Sequence, residues 1–123
     1  MKFHYAIPIK DLAISEKFYQ KLGFEKTGVW KHPEKELTGI NMLRNNCGLE
    51  LVYHPSNADL VRSLNPFISH LGLEVDDVSE LLDKLKSDKI EIVVPLSRGV
   101  TVKRYAFIKD PDGNYIELFD LDK

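Results

Sequence analysis

Four side chains with the chemistry of metal ligands stand at matching places in the two halves of this chain: His4 and Glu50 in the first, His70 and Glu117 in the second. The match is a repeat. His4 and His70 are 66 positions apart, and at that offset Ile7 meets Leu73, Ile9 meets Val75, Asp11 meets Asp77 and Phe24-Glu25 meets Ile90-Glu91. Leu49-Glu50-Leu51 recurs as Ile116-Glu117-Leu118 at an offset of 67. Two imidazoles and two carboxylates form a nitrogen and oxygen donor set suited to Ni, Zn, Co, Fe or Mn, with room for water. Taken singly, a strand histidine is more often a hydrogen-bonded core or surface residue, and a glutamate on an open sheet face is usually solvated. Repetition in both halves is what sets these four apart.

The elements that must position them follow from local patterning. Residues 2 to 9 alternate, with Phe3, Tyr5, Ile7 and Ile9 on one face of a strand and His4, Ala6 and Pro8 on the other. Asp11 is an N-cap, followed by a helix whose Ile14, Phe18, Tyr19 and Leu22 form an apolar stripe and which Gly23 ends. Extended runs follow near 25–32, 37–44 and 48–54, separated by His32-Pro33-Glu34 and Asn45-Asn46. In the last run Leu49, Leu51 and Tyr53 oppose Glu50, Val52 and His54. The first half therefore reads βαβββ.

The second half repeats this plan. Its first strand runs through Ser69, Leu71, Leu73 and Val75, with Ile68, His70, Gly72 and Glu74 on the opposite face. Asp77 caps a helix with Val78, Leu81, Leu82 and Leu85 at i, i+3, i+4, i+7, and Glu80 completes a capping-box pattern. Strands near 90–94 and 102–109 precede the turn Asp110-Pro111-Asp112-Gly113, which delivers the strand Tyr115-Glu117-Phe119. The expected fold class is α+β, one domain over residues 1–123: module 1 at 1–55, a connection at 56–66 with a helical turn through Leu60-Val61, and module 2 at 67–123. In each half the ionisable residue lies opposite the helix-packing set. Two such sheets facing each other would gather all four side chains.

Composition narrows the partners. With 17 basic and 19 acidic residues, a net charge of −2 and no basic run, neither nucleic acid nor an anionic membrane surface is an expected partner. No apolar run has the length of a signal peptide core or of a transmembrane span. A single cysteine, Cys47, excludes an internal disulfide framework and fits the reducing cytoplasm; it reads as a small apolar residue rather than a nucleophile. Halves of about 60 residues would each be marginal alone, so they are expected to share a core or a partner.

The segments HYAIPIKDLAISEKFYQKLGFE, GLELVYH, SHLGLEVDDV and KDPDGNYIELFD resemble the signature segments of the vicinal oxygen chelate superfamily. That group includes glyoxalase I, fosfomycin-resistance and bleomycin-binding proteins, methylmalonyl-CoA epimerase and extradiol dioxygenases. The resemblance covers essentially the whole chain. It implies tandem βαβββ modules whose curved mixed sheets surround a metal cup, with helices outside, and a homodimer whose sites lie within one chain or across two. The ligand pattern His4, Glu50, His70 and Glu117 is that of glyoxalase I (lactoylglutathione lyase), implying one divalent metal per site (Ni, Zn, Co or Mn) and a small-molecule substrate. Fosfomycin-type proteins and dioxygenases use two histidines and one glutamate; epimerases commonly have Gln at the position of Glu50.

The implied reaction is isomerisation of a hemithioacetal or related α-hydroxycarbonyl through an enediolate, with Glu117 as base and Glu50 as ligand and second base. His54, Arg98, Thr101 and Arg104 are the expected substrate contacts. Two departures leave the thiol open: Pro8 stands where bacterial glyoxalase I has an arginine, and His54 where it has an asparagine. The alternatives are a small-molecule binding or antibiotic-resistance protein of the bleomycin or fosfomycin type, with or without metal, and a dioxygenase.

Overall fold

The computed structural model describes residues 3–59 and 65–121, with only the backbone of Phe3; the helical turn expected through Leu60-Val61 lies outside the described residues. The first half runs β1 (Phe3–Ile9), α1 (Leu12–Lys21), β2 (Glu25–Lys31), β3 (Thr38–Arg44) and β4 (Cys47–Tyr53). The second runs β5 (Leu71–Glu74), α2 (Val78–Ser87), β6 (Ile92–Arg98), β7 (Arg104–Lys109) and β8 (Tyr115–Asp120). The chain divides into two compact units, Met1–Val61 and Arg62–Lys123. Each holds one mixed four-stranded sheet, ordered β1-β4-β3-β2 in the first and β5-β8-β7-β6 in the second. The class is α+β, and each unit is the expected βαβββ module. Among the described residues no helix is long and apolar enough to cross a membrane.

Strand order follows from the connections. A helical crossover after the first strand lets it pair in parallel, whereas short turns make the last three strands antiparallel. So β1 pairs parallel with β4 and β5 with β8, while β2, β3, β4 and β6, β7, β8 form antiparallel ladders. Alternation then sorts the faces. Ile7, Ile9, Ile40, Met42, Leu49 and Leu51 are buried in the first unit, and Leu73, Ala106, Ile108, Ile116 and Leu118 in the second. Helix α1 packs on β2, β3 and β4, and α2 on β7 and β8.

Both helices begin as the sequence dictates. Asp11 accepts the Ile14 N–H at 2.9 Å, and Asp77 accepts the Glu80 N–H at 3.0 Å, so each carboxylate satisfies a donor that the first helical turn leaves open. Gly23 follows α1 with φ +91°. The stripe of α1 differs from expectation by one position: Ile14 is 56% exposed, whereas Ser15 is 1% exposed and Tyr19 fully buried. Edge-on stacking of Tyr19 against Phe18 and Phe24, with centroids 5.1 and 5.9 Å apart, turns the helix so that 15, 18, 19 and 22 face the sheet. Ser15, the smallest residue of this buried set, takes little of the space these rings fill.

Two strand boundaries also move. Residues 66–69 form a turn instead of extending the first strand of module 2, because Asn65 Oδ1 accepts the Phe67 N–H at 2.9 Å and its main-chain oxygen accepts those of Ile68 and Ser69. Strand β6 reaches Arg98, beyond the expected end near 94, with register shifts between Ile92 and Val94 and between Val94 and Ser97. The Asp110 turn is built as read: Asp110 Oδ1 accepts the N–H groups of Asp112 and Asn114 at 2.9 and 2.7 Å, and Gly113 has φ +84°. One fastener carried no local signal. Asn57, in the short 3-10 helix Pro55–Asp59, donates Nδ2 to the carbonyls of Ile9 and Val52 at 2.8 and 3.0 Å.

Asp120 closes module 2. Its buried carboxylate accepts the Val78 N–H at the start of α2 at 3.0 Å and a fork from Arg104, Nη2 at 2.7 Å and Nε at 3.3 Å. Burial pushes the Asp120 carboxyl up, but the Arg104 hydrogen bond, the Val78 N–H and the charges of Arg104 and Lys103 outweigh it and hold it below the ordinary carboxylate range. A depressed value stabilises the fold above the unfolded pKa near ~4, and the contribution is lost as pH falls below that toward the folded value. Asp120→Asn is expected to lower the melting temperature at pH 7 by about 5 °C or more. The gap to the natural protein should narrow as pH falls from 5 to 2.5, as followed by circular dichroism melts; a gap that stays constant through this window would contradict the linkage.

Candidate metal centre

The parallel pairing of β1 with β4 places Ala6 beside Glu50 and His4 beside Gly48. All four therefore share the face turned away from α1. His4 Nε2 and Glu50 Oε2 lie 3.3 Å apart, with side chains 53% and 26% exposed. They line a cavity of about 290 Å³ together with Thr27, Asn41 and Leu43.

Module 2 builds the equivalent pair with more support. Gly72 lies beside Glu117 in the parallel register of β5 and β8, and His70 comes just before β5. A Cβ on Gly72 would be 3.5 Å from Glu117 Oε1, so a small residue leaves the carboxylate room to lean toward the imidazole. His70 Nδ1 is 2.6 Å from the Pro66 carbonyl oxygen. A carbonyl only accepts, so Nδ1 carries a proton, and in the neutral ring Nε2 holds the free lone pair. Nε2 lies 3.6 Å from Glu117 Oε1, beyond hydrogen-bond length. The ring is also fixed edge-on against Phe107, centroids 4.9 Å apart.

This donor set suits a divalent ion. Two ligand atoms each ~2.1 Å from a common ion are at most ~4 Å apart, and 3.3 and 3.6 Å fall inside that limit. The Pro66 carbonyl orients His70 as the outer partner of a ligating imidazole does. Within either unit, among the described residues, no third His, Cys, Asp or Glu joins the pair.

The remaining candidates separate. Arg98, Thr101 and Arg104 line one cavity of about 600 Å³ in the second unit, with Gly99, Val100, Lys103 and Leu121. Arg104 is already engaged by Asp120 at 2.7 Å and Asp77 at 3.4 Å. The Asp120 hydrogen bond, opposed by burial and aided by the charges of Asp120 and Asp77, raises its pKa further. Arg98 and Lys103 are the other basic side chains lining this cavity. His54 follows β4, where its Nδ1 accepts the Ser56 N–H at 3.1 Å and lies 2.7 Å from Ser56 Oγ. His32 plays the same part in its turn, accepting the Glu34 N–H at 3.1 Å. Pro66 is the contributor that sequence reasoning missed: Asn65-Pro66 was legible as a turn, but nothing in it announced a carbonyl partner for His70.

The comparisons agree with this architecture. Residues 3–118 match the model of the Glyoxalase/Bleomycin resistance protein/Dioxygenase superfamily. A probable lactoylglutathione lyase of Synechocystis is 32% identical, the match covering 94% of this chain and 91% of the relative. The uncharacterized protein YaeR of Escherichia coli is 30% identical over 95% of this chain and 93% of its own. Among solved structures, the trypanothione-dependent glyoxalase I of Leishmania major superposes with a TM-score of 0.78 at 30% identity, over 95% of this chain and 84% of that one. With its paired βαβββ modules and a His–Glu pair on each sheet, the chain belongs to the glyoxalase/bleomycin resistance protein/dioxygenase superfamily.

Proposed function

We propose that the chain is a metal-dependent isomerase of the glyoxalase kind. Its substrate would be a hemithioacetal or a related α-hydroxycarbonyl. One divalent metal (Ni, Zn, Co or Mn) would be held by His4, Glu50, His70 and Glu117. The observation that carries the reading is the repeated pairing of an imidazole nitrogen with a carboxylate oxygen, His4 with Glu50 at 3.3 Å and His70 with Glu117 at 3.6 Å, the second with its other ring nitrogen held by the Pro66 carbonyl at 2.6 Å; both separations suit two ligands of one divalent ion. The two His–Glu pairs would be brought to one site either within a chain or across a homodimer. Lone Cys47 is a free thiol, in keeping with a reducing cytoplasm.

A divalent ion there, when bound, supplies Lewis-acid polarisation of the substrate carbonyl. The protein's own part is proton transfer. Glu117 takes the proton from the carbon next to the carbonyl and returns it to the neighbouring carbon, passing through an enediolate, with Glu50 as ligand and second base. His4 and His70, which would each give a ring nitrogen to the ion, would orient rather than transfer. Arg98 and Thr101 receive the substrate's polar end, and Arg104 shapes that cavity through Asp120 and Asp77.

A second reading, ligand binding without turnover, draws on one observation. Phe67, 57% exposed, stands against Phe107 and Tyr105 with centroids 5.1 and 6.2 Å apart, a surface suited to an aromatic ligand. Hemithioacetals of methylglyoxal made with several thiols separate the two: the isomerase turns over at least one, and a binding protein none.

Glu117→Gln is expected to retain metal and lose turnover by about 10²-fold or more, and a fully active variant would remove the assignment of Glu117 as base. Gly72→Ala should leave metal affinity unchanged, since its Cβ meets neighbours at ordinary distances. Gly72→Leu should push the Glu117 carboxylate aside and weaken metal binding by about 10-fold or more, read by competition with a chromophoric chelator. Equal affinity in both would show that the space beside Glu117 is not needed.

A further inference from the structure

The open face of the first sheet carries a polar arrangement that the proposed ligands do not use. Trp30, the chain's single tryptophan, donates its indole N–H to Asn41 Oδ1 at 3.2 Å. An indole nitrogen only donates, so the amide atom facing it is the oxygen. The Nδ2 amino group is then what the Asn41 side chain has left to give. The indole is set against Gly39, its cross-strand partner, where a Cβ would come within 2.2 Å of the ring. Glycine at 39 thus makes room for the ring that aims Asn41.

Asn41 stands beside Glu50 across β3 and β4 and beside Gly28 across β2 and β3, so the three share one face. It lines the same cavity as His4 and Glu50. A Cβ on Gly28 would meet nothing within 4 Å, which leaves the space next to Asn41 open. Thr27, also in this cavity, spends its hydroxyl proton on the Asn41 main-chain oxygen at 3.3 Å.

We propose that Asn41, aimed by Trp30, is a specificity-determining donor. Its Nδ2 group holds a carbonyl or hydroxyl oxygen of the substrate beside Glu50 and selects small oxygenated substrates over analogues that lack that acceptor. This rests on the reading of His4 and Glu50 as half of a metal site. Gly28 gives the ligand its space, and Trp30 sets the direction of the hydrogen bond.

The test is calorimetric titration of metal-loaded protein with acetohydroxamate, a small carbonyl-bearing oxygen chelator, with metal content measured on the same samples. Asn41→Ala is expected to keep its metal and lose affinity about 5- to 10-fold, the loss of one hydrogen bond. Trp30→Phe keeps Asn41 but not its aim, and should lose affinity about 3-fold with the metal retained. Gly28→Leu, which touches neither residue's chemistry, should exclude the probe by filling the open space, so the proposal stays testable if one variant folds poorly. Affinities within about twofold of the natural protein in all three variants would overturn the role of Asn41 and leave the isomerase reading in place. Loss of metal in Asn41→Ala would also overturn it, by placing Asn41 in support of the metal pair. A natural protein that takes up no metal would overturn both.

Discussion

Parallel pairing between the first and last strand of each module is the constraint on which the rest of the structure depends. In each module it brings a residue near the module's start and one about 45 positions later into adjacent rows of one sheet face. Because side chains alternate, a slip of one residue in either register would turn a ligand candidate into the core. The buried set Ile7, Ile9, Leu49 and Leu51 in module 1, with Leu73, Ile116 and Leu118 in module 2, therefore does two tasks: packing against the helix fixes the register, and the register puts imidazole and carboxylate on the far side. Small partners complete the arrangement, with Ala6 beside Glu50 and Gly72 beside Glu117.

The two modules hold their pairs with different degrees of constraint. His70 is fixed by a hydrogen bond to the Pro66 carbonyl and by the Phe107 ring, and its side chain is 26% exposed; that of His4 is 53% exposed. Preorganisation of this kind lowers the entropic cost of assembling a metal site. The unevenness leaves the His–Glu pair of module 2 the more tightly held, while that of module 1 opens onto the cavity lined by Asn41 and Thr27.

Much of this was legible in the sequence because it rests on local chemistry. Caps at Asp11 and Asp77, the Asp110 turn with Gly113 and the strand alternation each depend on residues within a few positions of one another. The repeat then paired His4 with His70 and Glu50 with Glu117. What was not legible depends on partners distant in sequence. Ile14 fits a helical stripe, but aromatic packing of Tyr19 turned the helix by one position. Arg104 reads as an anion contact until Asp120 and Asp77 are found against it. The turn at Pro66 ended a strand early to give His70 its acceptor, and Trp30 meets Asn41 only because β2 pairs with β3.

Elemental mass spectrometry on untagged protein shows whether His4, Glu50, His70 and Glu117 hold one metal ion. The natural sequence is compared with His70→Ala and Glu117→Ala. One divalent ion per chain is expected in the natural protein, absent or strongly depleted in both variants. Protein that holds no metal after incubation with Ni, Zn, Co or Mn, or variants that keep it in full, would contradict it.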